Sequence, residues 1–171
     1  MSTRNKPTPA TAVGPTKGTA NNPFGGFASS DPRDADQRLI RAFEVAKAQF
    51  ETTSLKVRIT FTHRSHLVQS ALFKQGRQDL AAVNYARRLA KMPPITEAEN
   101  ARRVTNANAG ASKHNAYPSL AIDVAVIQNG EYVGNNVAPY REFAILMGRA
   151  NSAIKWGGLF PGFVDAGHFE L

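Results

Sequence analysis

Apolar side chains recur at helical spacing at Leu39, Ile40, Phe43, Ala46 and Phe50, which predicts an amphipathic helix over roughly 32–52. Asp31-Pro32 supplies its start, an acceptor side chain followed by a proline that needs no amide partner in the first turn. From Lys56 to Phe61 the period changes to two, with Val57, Ile59 and Phe61 on one face, which predicts a strand. Ser65 to Gln75 is again helical, and Gly76 stops it. Residues 79–103 form a charged helical stretch broken at Pro93-Pro94, with a second start at Thr96 and a capping box to Glu99. Residues 104–118 are rich in Asn, Ala, Gly and Ser and are expected to be loop. Leu120 to Val126 is an apolar run suited to a buried strand, and Gln128-Asn129-Gly130-Glu131 is a turn. A helix over Pro139–Ala153, a short strand over Ile154–Trp156 and a terminal loop through His168-Phe169-Glu170 complete the pattern. The elements predict an α+β domain with a small, mainly antiparallel sheet flanked by helices.

The pattern fails only at the front. Residues 1–30 are dominated by Pro, Thr, Gly, Ala and Asn, with Arg4, Lys6 and Lys17 as their charges. Too little apolar surface is present to offset ordering entropy, so this segment is expected to be a flexible basic arm, and 31–171 a single folded domain. No apolar run approaches the ~18 residues of a membrane span, and the basic start is followed by a polar stretch where a signal peptide requires an apolar core. The expectation is synthesis in a cytoplasm without export by the general secretory route. The net charge of +8 calls for an anionic partner, and nucleic acid, membrane and bacterial cell wall all qualify. The chain contains no cysteine, which excludes disulfides and thiolate metal sites, so any metal would be held by His, Asp and Glu.

Donors of that kind gather in two segments. His114 precedes the apolar strand, Asp123 lies inside it, and Asp165 and His168 sit three residues apart near the C-terminus. A catalytic zinc takes three nitrogen or oxygen ligands and leaves a fourth position for water. His114, Asp123 and His168 can supply those three, leaving Asp165 beside the water as a general base. Spacing by itself is weak evidence, because a lone histidine at a loop or strand end is more often a structural residue that only makes hydrogen bonds. His63 and His66 flank Arg64-Ser65 without a carboxylate and are expected to border a helix start. Trp156 suits either the core or a substrate contact. Arg87-Arg88 and Arg102-Arg103 are expected on solvated helix faces, since no aromatic interleaving suggests base stacking.

The motifs together carry more. Ser112-Lys113-His114, then Asp123 in the following strand, then Trp156-Gly157-Gly158, then Asp165 three residues before His168-Phe169 resemble, in that order, the VanY-like D-alanyl-D-alanine carboxypeptidase and L-alanyl-D-glutamate endopeptidase family, which includes many bacteriophage endolysins. Thr62-His63-Arg64-Ser65, Gln69, Leu72 and Gln75-Gly76-Arg77 resemble its upstream segment. Pro94 to Asn100 and Val104-Thr105-Asn106-Ala107 are similar to phage-borne members. The resemblance spans about residues 36–171. It implies the hedgehog/D-Ala-D-Ala peptidase-like fold and a zinc ion on His114, Asp123 and His168. It also implies Asp165 as acid/base, Arg64 as substrate-binding and oxyanion-stabilising residue, and Ser112 near the substrate. The His–Asp spacing is two residues longer than the family's commonest form, His63 stands where it has Tyr, and Leu159 where it commonly has Asp.

The implied activity is a zinc-dependent peptidase that hydrolyses peptidoglycan stem peptides, with L-alanyl-D-glutamate cleavage favoured over D-Ala-D-Ala carboxypeptidase action. The setting is a phage endolysin held in the host cytoplasm until release to the periplasm or wall, or a virion-associated lysin whose arm contacts other virion proteins. Nucleic acid is not expected as a partner. The alternative is a non-catalytic virion structural protein that keeps the peptidase fold.

Overall fold

The computed structural model describes residues 28–171 apart from positions 53 and 135; most of the expected arm lies outside the described residues. The elements are α1 (Gln37–Phe50), β1 (Leu55–Phe61), α2 (His66–Lys74), α3 (Leu80–Leu89), α4 (Glu97–Asn100), β2 (Ala121–Gln128), β3 (Glu131–Tyr132), α5 (Val137–Ala150), β4 (Lys155–Trp156) and β5 (His168–Glu170). The fold is α+β, with a small antiparallel sheet and flanking helices.

The sheet is organised around β2. Residues 123–128 pair with β1 on one edge, while the other edge is divided between β5, opposite residues 121–123, and β3, opposite 127–128. β4 closes the far side against β5. Alternation then decides what each face does. Ile122, Val124 and Val126 of β2, with Phe169 of β5, point into the main core. There they meet Leu39, Phe43 and Phe50 of α1 and Tyr140, Phe143 and Met147 of α5. Phe143 is the hub, edge-on to Phe50 at 5.2 Å, Phe169 at 5.6 Å and Phe43 at 5.8 Å. Asp123, His168 and Glu170 therefore emerge on the opposite face. A second, smaller core of Val68, Ala71, Ala86 and Ala90 joins α2 to α3.

Four sequence expectations are corrected. The first helix begins at Gln37, capped by Asp36, and Asp31-Pro32 instead opens a separate 3-10 turn. The interruption has a backbone cause: Asp36 N–H donates to the Ser119 carbonyl at 2.9 Å and Ser119 N–H donates to Asp34 at 2.8 Å, which holds this stretch extended. The terminal loop is a strand, because Phe169 is drawn into the core and its neighbours complete the ladder with Ala121–Asp123. Phe61 does not share the buried face of Val57. A register shift between Ile59 and Phe61 turns it outward, where it lies under the Arg64 guanidinium at 4.9 Å. Arg87 is buried rather than solvated, its Nε donating to the Pro93 carbonyl at 2.7 Å. The predicted turn at Asn129-Gly130 has both residues at positive φ, and the capping box of Thr96 and Glu99 is formed. Ala28 and Ser29 are already paired with the segment 62–64.

Candidate metal centre

Three separate pieces of chain converge on the sheet face away from the main core. His114 sits in a 3-10 turn (Lys113–Asn115) whose second amide is capped by Ser112, the hydroxyl accepting from His114 N–H at 3.3 Å. Capping is thus the role Ser112 has in the fold. The turn is clamped to the end of β1: Arg64 N–H donates to the His114 carbonyl at 2.9 Å and Asn115 Nδ2 donates to the Arg64 carbonyl at 2.8 Å. Asp123 and His168 come from neighbouring strands and occupy directly opposed positions in the ladder, so both side chains leave the same face side by side.

The three donor atoms form a small triangle. His114 Nε2 lies 3.1 Å from Asp123 Oδ1 and 3.3 Å from His168 Nδ1, and His168 Nδ1 lies 3.0 Å from Asp123 Oδ1. Bonds of about 2.0–2.1 Å in a tetrahedral zinc site would place ligand atoms about 3.3–3.4 Å apart, close to these edges. The opposite ring nitrogens are committed elsewhere. His114 Nδ1 faces the Thr62 carbonyl at 2.5 Å and His168 Nε2 faces Glu170 Oε2 at 3.1 Å. Since both partners only accept, the outer nitrogen of each imidazole donates, and in the neutral ring the inner nitrogen is a lone pair. Two lone pairs and a carboxylate oxygen at this separation repel one another. One proton can relieve one edge; a divalent cation satisfies all three. These residues accordingly fit a metal ion.

The surroundings favour a neutral His114. Burial, then the positive charge of Arg64, then His168, hold the His114 imidazole well below its ordinary value, so it is unprotonated at neutral pH. Arg64 contacts Asp123 through Nη2 and Oδ2, which leaves Oδ1 for the triangle. Burial pushes this guanidinium down to about 10, with the charge of Asp165 opposing the shift, so it remains a cation at neutral pH. Its buried Nε has no hydrogen-bond partner among the described residues. The Glu170 carboxyl is lowered chiefly by its hydrogen bond with His168.

Asp165 is not one of the triangle's three donors. Its backbone is held between the turn after β4 and His168: Asp165 N–H donates to Gly157 at 3.0 Å and His168 N–H donates to Asp165 at 3.2 Å. Trp156-Gly157-Gly158 makes that approach possible. A Cβ on Gly157 would lie 2.5 Å from the Asp165 carbonyl oxygen and 2.9 Å from His168 Cβ, and one on Gly158 would enter the Trp156 ring. Trp156 itself is core, its indole N–H donating to the Ala166 carbonyl at 2.8 Å. Leu159 is 78% exposed at the end of this turn. His63 and His66 form no donor cluster. His63 is buried edge-on to Tyr117 at 5.6 Å, and His66 is the first residue of α2.

Sequence reasoning missed Thr62 and Glu170, which hold the outer nitrogens. The backbone carbonyl of Thr62 leaves no trace in side-chain chemistry. Glu170, two residues beyond His168 and so on the same face of a strand, becomes visible once that tail is recognised as a strand.

No protein-family model matches the sequence, and no curated protein matches it. The fold is similar to the crystal structure of the Serratia marcescens L-Ala D-Glu endopeptidase ChiX, with a TM-score of 0.50 and 18% sequence identity over 81% of each chain. At that identity the likeness concerns the fold.

Proposed function

We propose that this chain is a zinc-dependent peptidase that hydrolyses peptidoglycan stem peptides, with the bond between L-alanine and D-glutamate as its target. The observation that carries the proposal is the triangle of His114, Asp123 and His168, in which the inner nitrogens of both imidazoles converge on one carboxylate oxygen. The fold shared with an L-Ala D-Glu endopeptidase supports the substrate class. Cleavage at that bond also frees the stem peptide, with its cross-link, from the glycan, which removal of a terminal D-alanine does not.

Zinc held by the three side chains supplies Lewis acidity and lowers the pKa of water. The remaining work falls to the protein. Asp165 accepts the proton of the attacking water and returns it to the leaving amine. Arg64 keeps Asp123 turned so that one carboxylate oxygen serves the metal. The guanidinium donors not committed to Asp123 would stabilise a substrate oxygen as negative charge develops. Ser112 acts through the turn that presents His114. In this reading residues 1–30 are a tether, and the protein reaches the wall as a phage endolysin or a virion-borne lysin. Among the described residues no helix is long and apolar enough to cross a membrane.

The test is loss of turbidity in a suspension of purified peptidoglycan. Activity should vanish with a chelator, return with zinc, and be absent from His114→Ala. Mass spectrometry of the products should reveal new L-alanine carboxyl and D-glutamate amino ends. Undiminished activity in His114→Ala would remove the site assignment. Stoichiometric absence of zinc, together with no cleavage, would favour a non-catalytic virion protein on the same fold.

A further inference from the structure

Positive charge is unevenly shared across the molecule. Residues 66–103, which carry α2, α3 and α4, hold seven Lys and Arg against three Asp and Glu, whereas the rest of the chain from residue 28 holds eleven against ten. Away from that lobe, Arg33, Arg38, Lys47, Lys56 and Arg64 are each paired with a carboxylate, whereas Arg41, Arg58, Lys113, Arg141, Arg149 and Lys155 form no ion pair among the described residues. Among the described residues, Arg77, Arg88, Arg102 and Arg103 form no such pair.

Three of these arginines are held together by the backbone. Gly76 has φ +72° and packs so tightly on the next segment that a Cβ there would lie 2.5 Å from both Arg102 C and Arg103 N. The two segments are further stitched by Gln75 Nε2 donating to the Glu99 carbonyl at 2.8 Å, Gly76 N–H to Asn100 Oδ1 at 3.0 Å, and Asn100 Nδ2 to the Gln78 carbonyl at 2.9 Å. Arg77 then leaves one segment and Arg102 and Arg103 the other. The Arg77 guanidinium is fixed over the Phe73 ring at 4.1 Å, donating to the Phe73 carbonyl at 2.7 Å and to Asn106 Oδ1 at 3.2 Å. Burial and the neighbouring charge of Arg103 both depress its pKa. Specific hydrogen bonds thus keep like charges adjacent, with Glu99, whose carboxylate feels the charge of Arg102, offsetting them in part; an anion that joins the cluster offsets them further.

We propose that the corner formed by Arg77, Arg102 and Arg103 is a docking surface for a phosphate-bearing linear polymer of the bacterial envelope, separate from the metal centre. The choice of an envelope polymer rests on the peptidase reading above. Nucleic acid fits less well, because the aromatic ring at this corner, Phe73, lies under Arg77 instead of offering a face to a base. Guanidinium groups suit phosphate because their donor fork matches its oxygens. Such binding would hold the protein on the wall between cleavage events, and counterion release would make it strongly salt-dependent.

The experiment uses the zinc-loaded full chain and long-chain inorganic polyphosphate as probe, with affinity measured over a range of salt concentrations. The double variant Arg102→Gln/Arg103→Gln is compared with Arg141→Gln/Arg149→Gln, which removes the same charge from exposed positions on α5. The expected result is a loss of about tenfold or more in the first variant, with a log–log salt slope shallower by about 1–2, and little change in the second. Cleavage of soluble stem peptides should be unaffected in both, while cleavage of walls that retain their phosphate polymers should fall in the first. Equal losses in the two variants, or none in either, would overturn the proposal. So would duplex DNA that binds more tightly than polyphosphate and is lost on changing Arg102 and Arg103. Polyphosphate binding is read without catalysis, so its failure and that of the peptidase reading are distinguishable.

Discussion

At His168 the two ring nitrogens do different work, and one hydrogen bond separates them. Glu170 accepts from Nε2, and Nδ1 faces Asp123 and His114. Glu170→Gln can still meet the ring but no longer imposes a tautomer, because its amide both donates and accepts. Zinc affinity, measured by competition with a chelator, should weaken about 10–100-fold, while the metal-free variant keeps its fold. Asp165→Asn should give the converse pattern, with full zinc content and kcat lower by about 10²–10⁴; a variant that cleaves normally would remove Asp165 from the proposed reaction. A third consequence concerns protons. His63 and His114 are both held below the ordinary imidazole value of 6.5, in each case first by burial. The unfolded chain therefore binds more protons than the native one just below that pH, so native stability is lost as pH falls through it. Denaturant titrations of the metal-free protein should show a falling midpoint between about pH 7 and 5.5, and a flat profile would contradict the burial argument.

Among elements, the pairing of β2 with β5 matters most to the site, since it sets Asp123 opposite His168. That pairing is tight because glycine sits where backbones meet: Val124 N–H donates to the Gly167 carbonyl at 2.8 Å, and a Cβ on Gly167 would lie 2.7 Å from the Val124 oxygen. Gly157 plays the same part toward Asp165. Gly157→Ala must push the Asp165 loop away from the 3-10 turn that follows β4, so we expect cleavage to fall at least tenfold, together with a lower melting temperature. Unchanged activity in that variant would show that the loop has room to give. The second core, built on small Ala side chains, lets α2 and α3 pack closely. Together with the Gly76 contact, it anchors the segment leading to His114.

For the molecule as a whole, the main hydrophobic core and the candidate metal centre lie on opposite faces of one sheet. The core can therefore fold the chain without the metal, and the metal would add stability by mass action. Zinc at a free concentration about 100 times its dissociation constant should stabilise the native state by about 2.7 kcal/mol, or roughly 5–10 °C in Tm for a domain of this size. Calorimetry with zinc and with chelator measures it. The same shift in His114→Ala would place the bound ion elsewhere.

Periodicity determined the elements, because 3.6- and 2-residue repeats are local properties of the chain: the helix through Phe43, the strand through Val57 and the apolar strand through Ile122 are legible in this way. Residue chemistry likewise restricted a metal to His, Asp and Glu, since there is no cysteine to compete. The order of Ser112, His114, Asp123, Trp156, Asp165 and His168 marked the candidate site through its resemblance to a peptidase family. Other features depend on contacts between residues far apart in sequence. The terminal strand exists because β2 offers it an edge and the core takes Phe169. Phe61 turns outward because of a register shift against Asp123, and Arg87 is buried because Pro93 brings a carbonyl to it. The tautomers of His114 and His168 were decided by Thr62 and Glu170. Which nitrogen carries a proton depends on the acceptor opposite it in three dimensions, and side-chain spacing along the chain does not specify that acceptor.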